Sequence, residues 1–167
     1  VDITLANIAE LVIDLNKVTV NGTSSISKAE DAATLVSSIK NADTTTLLYP
    51  AADGKAIDTE KKLSIASGAS LIGVGEEPVK VVNSWSSNAF ANQAHFTNTT
   101  IENVNFTNNL IIAAGIANGN VTFKDCVFGG DLAHQGVHFD SGNATIVFEN
   151  CTFVGRNMFG ASLTKVI

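Results

Sequence analysis

The chain has 167 residues, of which 45% are hydrophobic, and its formal net charge is −6. This length and apolar content are sufficient to bury the core of one domain, which excludes a disordered segment. With 10 Lys and Arg against 16 Asp and Glu, and no basic cluster, the chain lacks the electrostatic surface of a nucleic-acid-binding protein. No apolar run approaches the roughly 18 residues that would span a membrane.

Residues 1–43 are predicted to form an N-terminal segment that ends in a capping helix. Residues 8–15 fit a helix, whereas residues 18–22 fit a strand and a turn, so the start of the chain is ambiguous. Ser27 and Glu30 have the spacing of a capping box and predict a helix over residues 28–41. The small and apolar residues on one face of this helix would cover the open end of a stack of repeats; they are Ala29, Ala32, Ala33, Val36 and Ile39.

The second half of the chain repeats itself. "NVTFKDCVFGG" at 120–130 is followed by "TIVFENCTFVG" at 145–155, and "TIENVNFTN" at 100–108 is a weaker first copy. The copies are 22 and then 25 residues apart. Repeats of this length indicate a solenoid, because one unit cannot bury its apolar face alone and must stack on a neighbour.

Within each repeat, apolar residues alternate with polar ones, which predicts two short strands joined by a corner. Asn and Asp tolerate a left-handed backbone, so Asn103, Asp125 and Asn150 are predicted to make equivalent corners. If the strands are parallel, like residues stack on like. Three columns then follow: Phe106, Phe128 and Phe153 inside; Val104, Cys126 and Cys151 beside them; and Glu102, Lys124 and Glu149 outside.

This pattern resembles the right-handed parallel β-helix of pectin-lyase-like proteins. "KLSIASGASLIGVGEEPVKVV" (62–82) is similar to the first coil of that superfamily, and "AEDAATLVSSIKNADTTTLLYP" (29–50) is similar to its helix-then-strand cap. The resemblance implies an all-β solenoid of about four to five coils over residues 44–167, with the N-terminal helix as a cap.

Several residues invite a chemical interpretation that their spacing does not favour. Cys126 and Cys151 fall in register, but Cβ atoms about 4.8 Å apart suit a reduced pair better than a disulfide, which needs about 3.8 Å. His134 and His138 lie roughly 13 Å apart if residues 134–140 form a strand, too far to share a metal ion. "GVGEEP" (73–78) lacks the third glycine and the helix of a dinucleotide loop, so no cofactor is predicted.

Six residues are the candidates for contacting a ligand. His95, His138 and Asp140 are expected on outward strand faces, where they would bind sugar hydroxyls or simply be solvated. Trp85 would stack on a sugar ring or close a loop against the core. The full candidate set is Trp85, His95, His134, His138, Asp140 and Arg156.

The resemblance leaves three functions open. Superfamily enzymes use clustered carboxylates, often with calcium, across more coils than this chain offers, and no motif brings its carboxylates together. The first expectation is therefore a non-catalytic module of the adhesin-like kind found in secreted and cell-surface proteins of bacteria, with a glycan or cell-surface ligand. The alternatives are a fragment of a polysaccharide lyase or glycoside hydrolase, and a purely structural stalk.

The C-terminal end of the stack is expected to be open. "FGASLTKVI" (159–167) begins a further strand with one lysine and no proline, so its edge is poorly protected. We expect further coils to cover this edge in the native protein. In isolation, residues 164–167 are expected to fray or to pair with a second copy of the chain.

Overall fold

The structure is a computed structural model that describes residues 19–20, 24–60, 63–82, 95–96, 98–107, 110–113, 120–129, 137–140, 145–155, 158–159 and 165–166. Within these residues the fold is mostly β, with parallel sheets and one helix, α1 (Ala32–Ser38). None of the described segments is a helix long and apolar enough to cross a membrane. The predicted all-β class is therefore confirmed at this level.

The strands are short and follow one another along the whole described chain. They are β1 (Thr19–Val20), β2 (Ser24–Ala29), β3 (Thr44–Leu48), β4 (Ile57–Asp58), β5 (Ser64–Ile65), β6 (Ser70–Gly73), β7 (Val79–Val82), β8 (His95–Phe96), β9 (Thr99–Glu102), β10 (Val104–Phe106), β11 (Leu110–Ala113), β12 (Asn120–Lys124), β13 (Val127–Phe128), β14 (Val137–Asp140), β15 (Thr145–Glu149), β16 (Thr152–Phe153), β17 (Met158–Phe159) and β18 (Lys165–Val166).

The strands form three larger sheets and one pair. The first sheet has the order β1-β2-β3-β6-β9-β12-β15-β18, the second β16-β13-β10-β7-β4 and the third β11-β14-β17, while β5 pairs with β8. Only β1 and β2 are antiparallel among the pairs in the described residues. The chain enters the first, second and third sheets in turn through β9, β10 and β11, and repeats this order from β12 and again from β15.

The register of the parallel pairs confirms the alignment of the sequence repeats. In the first sheet Phe123 pairs with Ile101 on one side and with Phe148 on the other. In the second sheet Phe128 lies between Phe106 and Phe153 in the same way. The outer column is also in register, and Lys124 Nζ lies 3.2 Å from Glu149 Oε2. Equivalent residues of neighbouring repeats therefore stack on one another, as predicted.

The core is dominated by two columns of phenylalanine rings. Phe106, Phe128 and Phe153 stack with centroids 5.5 and 5.3 Å apart, and Phe123 stacks on Phe148 at 5.5 Å. The columns meet edge to face, since the Phe123 and Phe128 centroids are 5.0 Å apart with planes at 87°. Such pairs contribute about 0.5–1.5 kcal/mol each beyond burial. Phe106 and Phe128 are buried, but Phe153 is 41% exposed, so its predicted interior position holds only in part.

Helix α1 begins later than the sequence predicts. Its N-cap is Asp31, whose carboxylate accepts from the Thr34 backbone N–H at 2.8 Å, and Thr34 completes the capping box. The predicted box of Ser27 and Glu30 is wrong because residues 24–29 form β2, where pairing with β3 satisfies their backbone groups. Ala29 belongs to that strand rather than to the helix.

The helix is anchored to the first sheet by apolar and polar contacts. Leu35 and Ile39 are fully buried in the core cluster, whereas Ala33 of the predicted face is exposed. The buried hydroxyl oxygens of Ser38 and Thr46 lie 2.6 Å apart, which satisfies both groups between the helix and β3. Polar groups buried without such a partner would destabilise the interface.

Candidate functional site

The six residues predicted to contact a ligand are not tested by the described structure. Trp85, His134 and Arg156 lie outside the described residues. The backbones of His95, His138 and Asp140 belong to strands β8 and β14, but their side chains also lie outside what is described. The ligand-binding role of these six residues therefore stays a prediction.

A stack of corners joins the first sheet to the second. Asn103, Asp125 and Asn150 have φ angles of 55°, 50° and 52°, the left-handed values predicted from their side chains. Backbone hydrogen bonds link successive corners: the Asn103 N–H donates to Lys124 O at 2.9 Å, and the Asp125 N–H donates to Glu149 O at 2.9 Å. The corners therefore form a regular edge along the molecule.

The side-chain amides of this edge are used within the protein. Asn103 Nδ2 donates to the carbonyl oxygens of Gly73 and Gly75 at 3.1 and 3.0 Å, which ties the corner to the loop after β6. Asn150 Nδ2 donates to Asp125 Oδ1 at 2.5 Å. Because these side-chain amide groups already donate to partners within the protein, the groups that the edge offers to a ligand are mainly acceptor oxygens.

Gly73 permits the close approach between this loop and the corner. A Cβ atom at position 73 would lie 2.0 Å from Asn103 O and 3.2 Å from Val79 Cγ2. Val79 N also donates to Asn103 O at 3.0 Å, so the Asn103 carbonyl is held in place on both sides. Only a residue without a side chain fits here.

An open groove of about 570 Å³ runs along the stack of corners and under the loop. It is lined by Gly73, Gly75, Glu76, Pro78, Glu102, Asn103, Asp125, Cys126, Val127, Asn150 and Thr152. We call this feature the corner groove. Its described lining includes three carboxylates, from Glu76, Glu102 and Asp125, and no lysine, arginine or histidine.

The carboxylates of the corner groove differ in how they are engaged. Asp125 accepts the Asn150 amide, whereas Glu76 and Glu102 have no hydrogen-bond or ion-pair partner among the described residues. Glu76 is exposed and Glu102 is partly buried. The groove therefore offers acceptor oxygens to a ligand that donates hydrogen bonds, and its negative charge repels an anionic ligand.

The described residues do not bring together a metal site. They contain no group of three or more His, Cys, Asp or Glu side chains that could hold a metal ion. Comparison of the chain with protein-family models, with curated proteins and with solved structures finds no match. The geometry of the described residues therefore carries the functional argument.

The corner groove was not predicted from the sequence, although its corner residues were. The sequence predicts only a corner position for Asp125 and only a place in the outer column for Glu102. The signal that could have found it is Gly73 together with Glu76, because a residue without a Cβ lets the acidic loop that follows it lie against the neighbouring corner.

Proposed function

We propose that the chain is a non-catalytic carbohydrate-binding module, and that the corner groove binds a neutral sugar chain. The observation that carries the proposal is the corner groove itself, in which the carboxylates of Glu76, Glu102 and Asp125 lie beside the equivalent corners of successive repeats. Sugar hydroxyl groups donate hydrogen bonds to such oxygens, and a linear glycan repeats them along its length. A uronate polymer is disfavoured because its carboxylates would face Glu76, Glu102 and Asp125.

The fold proposed for this module is a right-handed parallel β-helix of the pectin-lyase-like kind, capped by α1. The repeated passage through three sheets and the stacking of equivalent residues support this proposal. A stack of parallel strands suits a binding role because it places equivalent side chains about 4.8 Å apart. We propose a secreted or bacterial cell-surface location for the module, in line with the adhesin-like resemblance of its sequence.

The lining of the groove favours binding over catalysis. Its described ionisable side chains are acids and thiol-bearing Cys126, and the thiol is buried. The groove thus presents acceptors to a ligand without a described basic side chain beside them. Two other functions remain as alternatives: a fragment of a polysaccharide-cleaving enzyme, and a structural stalk.

The test is equilibrium binding of neutral and uronate oligosaccharides, followed by calorimetry on the best ligand. Glu76→Gln and Glu102→Gln are expected to weaken binding about 10- to 100-fold, because a hydrogen bond to a charged group contributes about 1.5–3 kcal/mol. Glu77→Gln is the matched control, since Glu77 is the exposed neighbour of Glu76 and does not line the corner groove.

Three other outcomes of these experiments would contradict the proposal. New reducing ends or unsaturated products would favour the enzyme, and absence of binding to every sugar would favour the stalk. Equal effects of the Glu76 and Glu77 substitutions would place binding elsewhere on the molecule.

A further inference from the structure

The two cysteines occupy equivalent positions on neighbouring strands, each directly after a left-handed corner. Val127 pairs with Thr152 in the parallel register, and the Thr152 N–H donates to Cys126 O at 2.8 Å. Adjacent strands lie about 4.8 Å apart, which falls within the Cα separation of roughly 4.4–6.8 Å seen in disulfides. The backbone therefore places Cys126 and Cys151 at a distance that a disulfide can bridge.

The two neighbouring thiols lie in unequal surroundings. The Cys126 thiol donates to Lys124 O at 3.2 Å, and the Cys151 thiol donates to Phe123 O at 3.4 Å. Hydrogen bonding from the neighbouring Cys126 thiol to the Cys151 thiolate lowers the pKa of Cys151 to about 7. The same interaction with the Cys151 thiolate, together with burial, raises the pKa of Cys126. Cys126 is fully buried, whereas Cys151 is partly exposed. Cys151 is thus the accessible nucleophile, and Cys126 is the thiol held beside it.

We propose that Cys126 and Cys151 form a redox-active pair that closes to a disulfide when Cys151 reacts with a small-molecule disulfide. In the first step the Cys151 thiolate attacks one sulfur of the small disulfide, and a mixed disulfide forms as one small thiolate leaves. In the second step Cys126 gives up its proton to solvent and attacks the Cys151 sulfur. The second small thiolate leaves, so the protein loses two electrons and two protons while the small disulfide is reduced to two thiols.

The spacing of the strands makes this disulfide reversible. Parallel neighbours hold Cβ atoms near the strand separation of about 4.8 Å, whereas a relaxed disulfide has them about 3.8 Å apart. The bond therefore draws β13 and β16 together locally and is strained. Strained disulfides are reduced more readily than relaxed ones, so excess thiol reopens the pair. Both thiols are free in the structure, which is the open state of the pair.

The test is to incubate the folded protein with oxidised glutathione and to identify the products by intact mass and peptide mapping. We expect loss of two hydrogen atoms and one peptide cross-link between Cys126 and Cys151, both reversed by excess reduced glutathione. Wild-type protein suffices for this measurement. Two separate glutathione adducts, a cross-link between two chains, or two unreacted thiols in the folded protein would each overturn the proposal.

Single substitutions separate the two roles. In Cys126→Ala the mixed disulfide at Cys151 has no second thiol to resolve it, so one glutathione adduct is expected to accumulate. In Cys151→Ala, Cys126 is expected to react at least tenfold more slowly, because it is buried. Circular dichroism confirms that each variant is folded. Fast modification of Cys126 in folded Cys151→Ala would contradict the assigned order of attack.

Discussion

Truncation of Phe128 to alanine tests whether the phenylalanine columns hold the fold together. The Phe128 side chain is fully buried, and its ring lies 5.0–5.6 Å from those of Phe106, Phe123, Phe148 and Phe153. Buried Phe→Ala substitutions cost about 3–5 kcal/mol of unfolding free energy. Because four rings lose a partner, we expect a loss in the upper half of that range, about 4–5 kcal/mol.

Phe153→Ala is the matched control, since Phe153 stacks on Phe128 in the same column but is 41% exposed. Because 41% of Phe153 stays exposed to water in the folded state, truncation removes less buried apolar surface, and we expect a loss of about 2 kcal/mol. Urea unfolding followed by circular dichroism gives the free energy of unfolding of both variants. An unchanged m value, the slope of that free energy against urea concentration, shows that unfolding stays two-state. Equal losses for the two variants, or a loss below about 1 kcal/mol for Phe128→Ala, would refute the columnar core.

If Phe128→Ala does not fold, Phe128→Leu keeps the comparison measurable. Leucine retains an apolar side chain of smaller volume, and the expected loss falls to about 1–2 kcal/mol. The corresponding Phe153→Leu change is expected to be nearly neutral because that site is partly open to solvent.

Three further predictions concern the corners and the thiols. Gly73→Ala is expected to lower the free energy of unfolding, measured in urea, by about 3 kcal/mol, because the added Cβ would lie 2.0 Å from Asn103 O. Gly54→Ala is the control and is expected to cost about 1 kcal/mol, because that site has open space and only its φ of 70° is unfavourable for alanine. Asn103→Gly, which keeps the left-handed backbone but loses two amide hydrogen bonds, is expected to be less destabilising than Asn103→Ala in the same assay. Alkylation of Cys151 by iodoacetamide is expected to accelerate as the pH rises through about 7, because the thiolate that Cys126 stabilises is the reactive form; a midpoint near the ordinary thiol value of about 8.5 would contradict this contact.

The repeats were predictable because strands that stack in register need the same residue types at equivalent positions of each repeat. Phe123 and Phe148, or Phe128 and Phe153, could be aligned from the sequence, and parallel strands then determined which ring lies on which. The left-handed corners were predictable for the same reason, since Asn and Asp recur where the chain bends. These features depend on local chemistry repeated from one unit to the next.

The helix start and the corner groove depend on contacts that the local pattern does not contain. Ser27 has the spacing of an N-cap, but pairing of β2 with β3 competes for the same backbone groups and moves the cap to Asp31. The groove needs the loop after β6 to approach a corner 30 residues away, which Gly73 permits and Asn103 fixes. Neither contact repeats along the chain, so neither leaves a periodic signal.

The fixed geometry of the corners determines where the chain tolerates insertions and deletions. In the first sheet, Ile101, Phe123 and Phe148 pair in succession and are 22 and 25 residues apart. Five residues after each of them comes the equivalent residue of the second sheet, which is Phe106, Phe128 or Phe153. The three extra residues of the longer repeat therefore lie away from the corner. One residue added at a corner would turn every following side chain of that strand to the opposite face, whereas a change of length between repeats leaves the alignment of both ring columns intact.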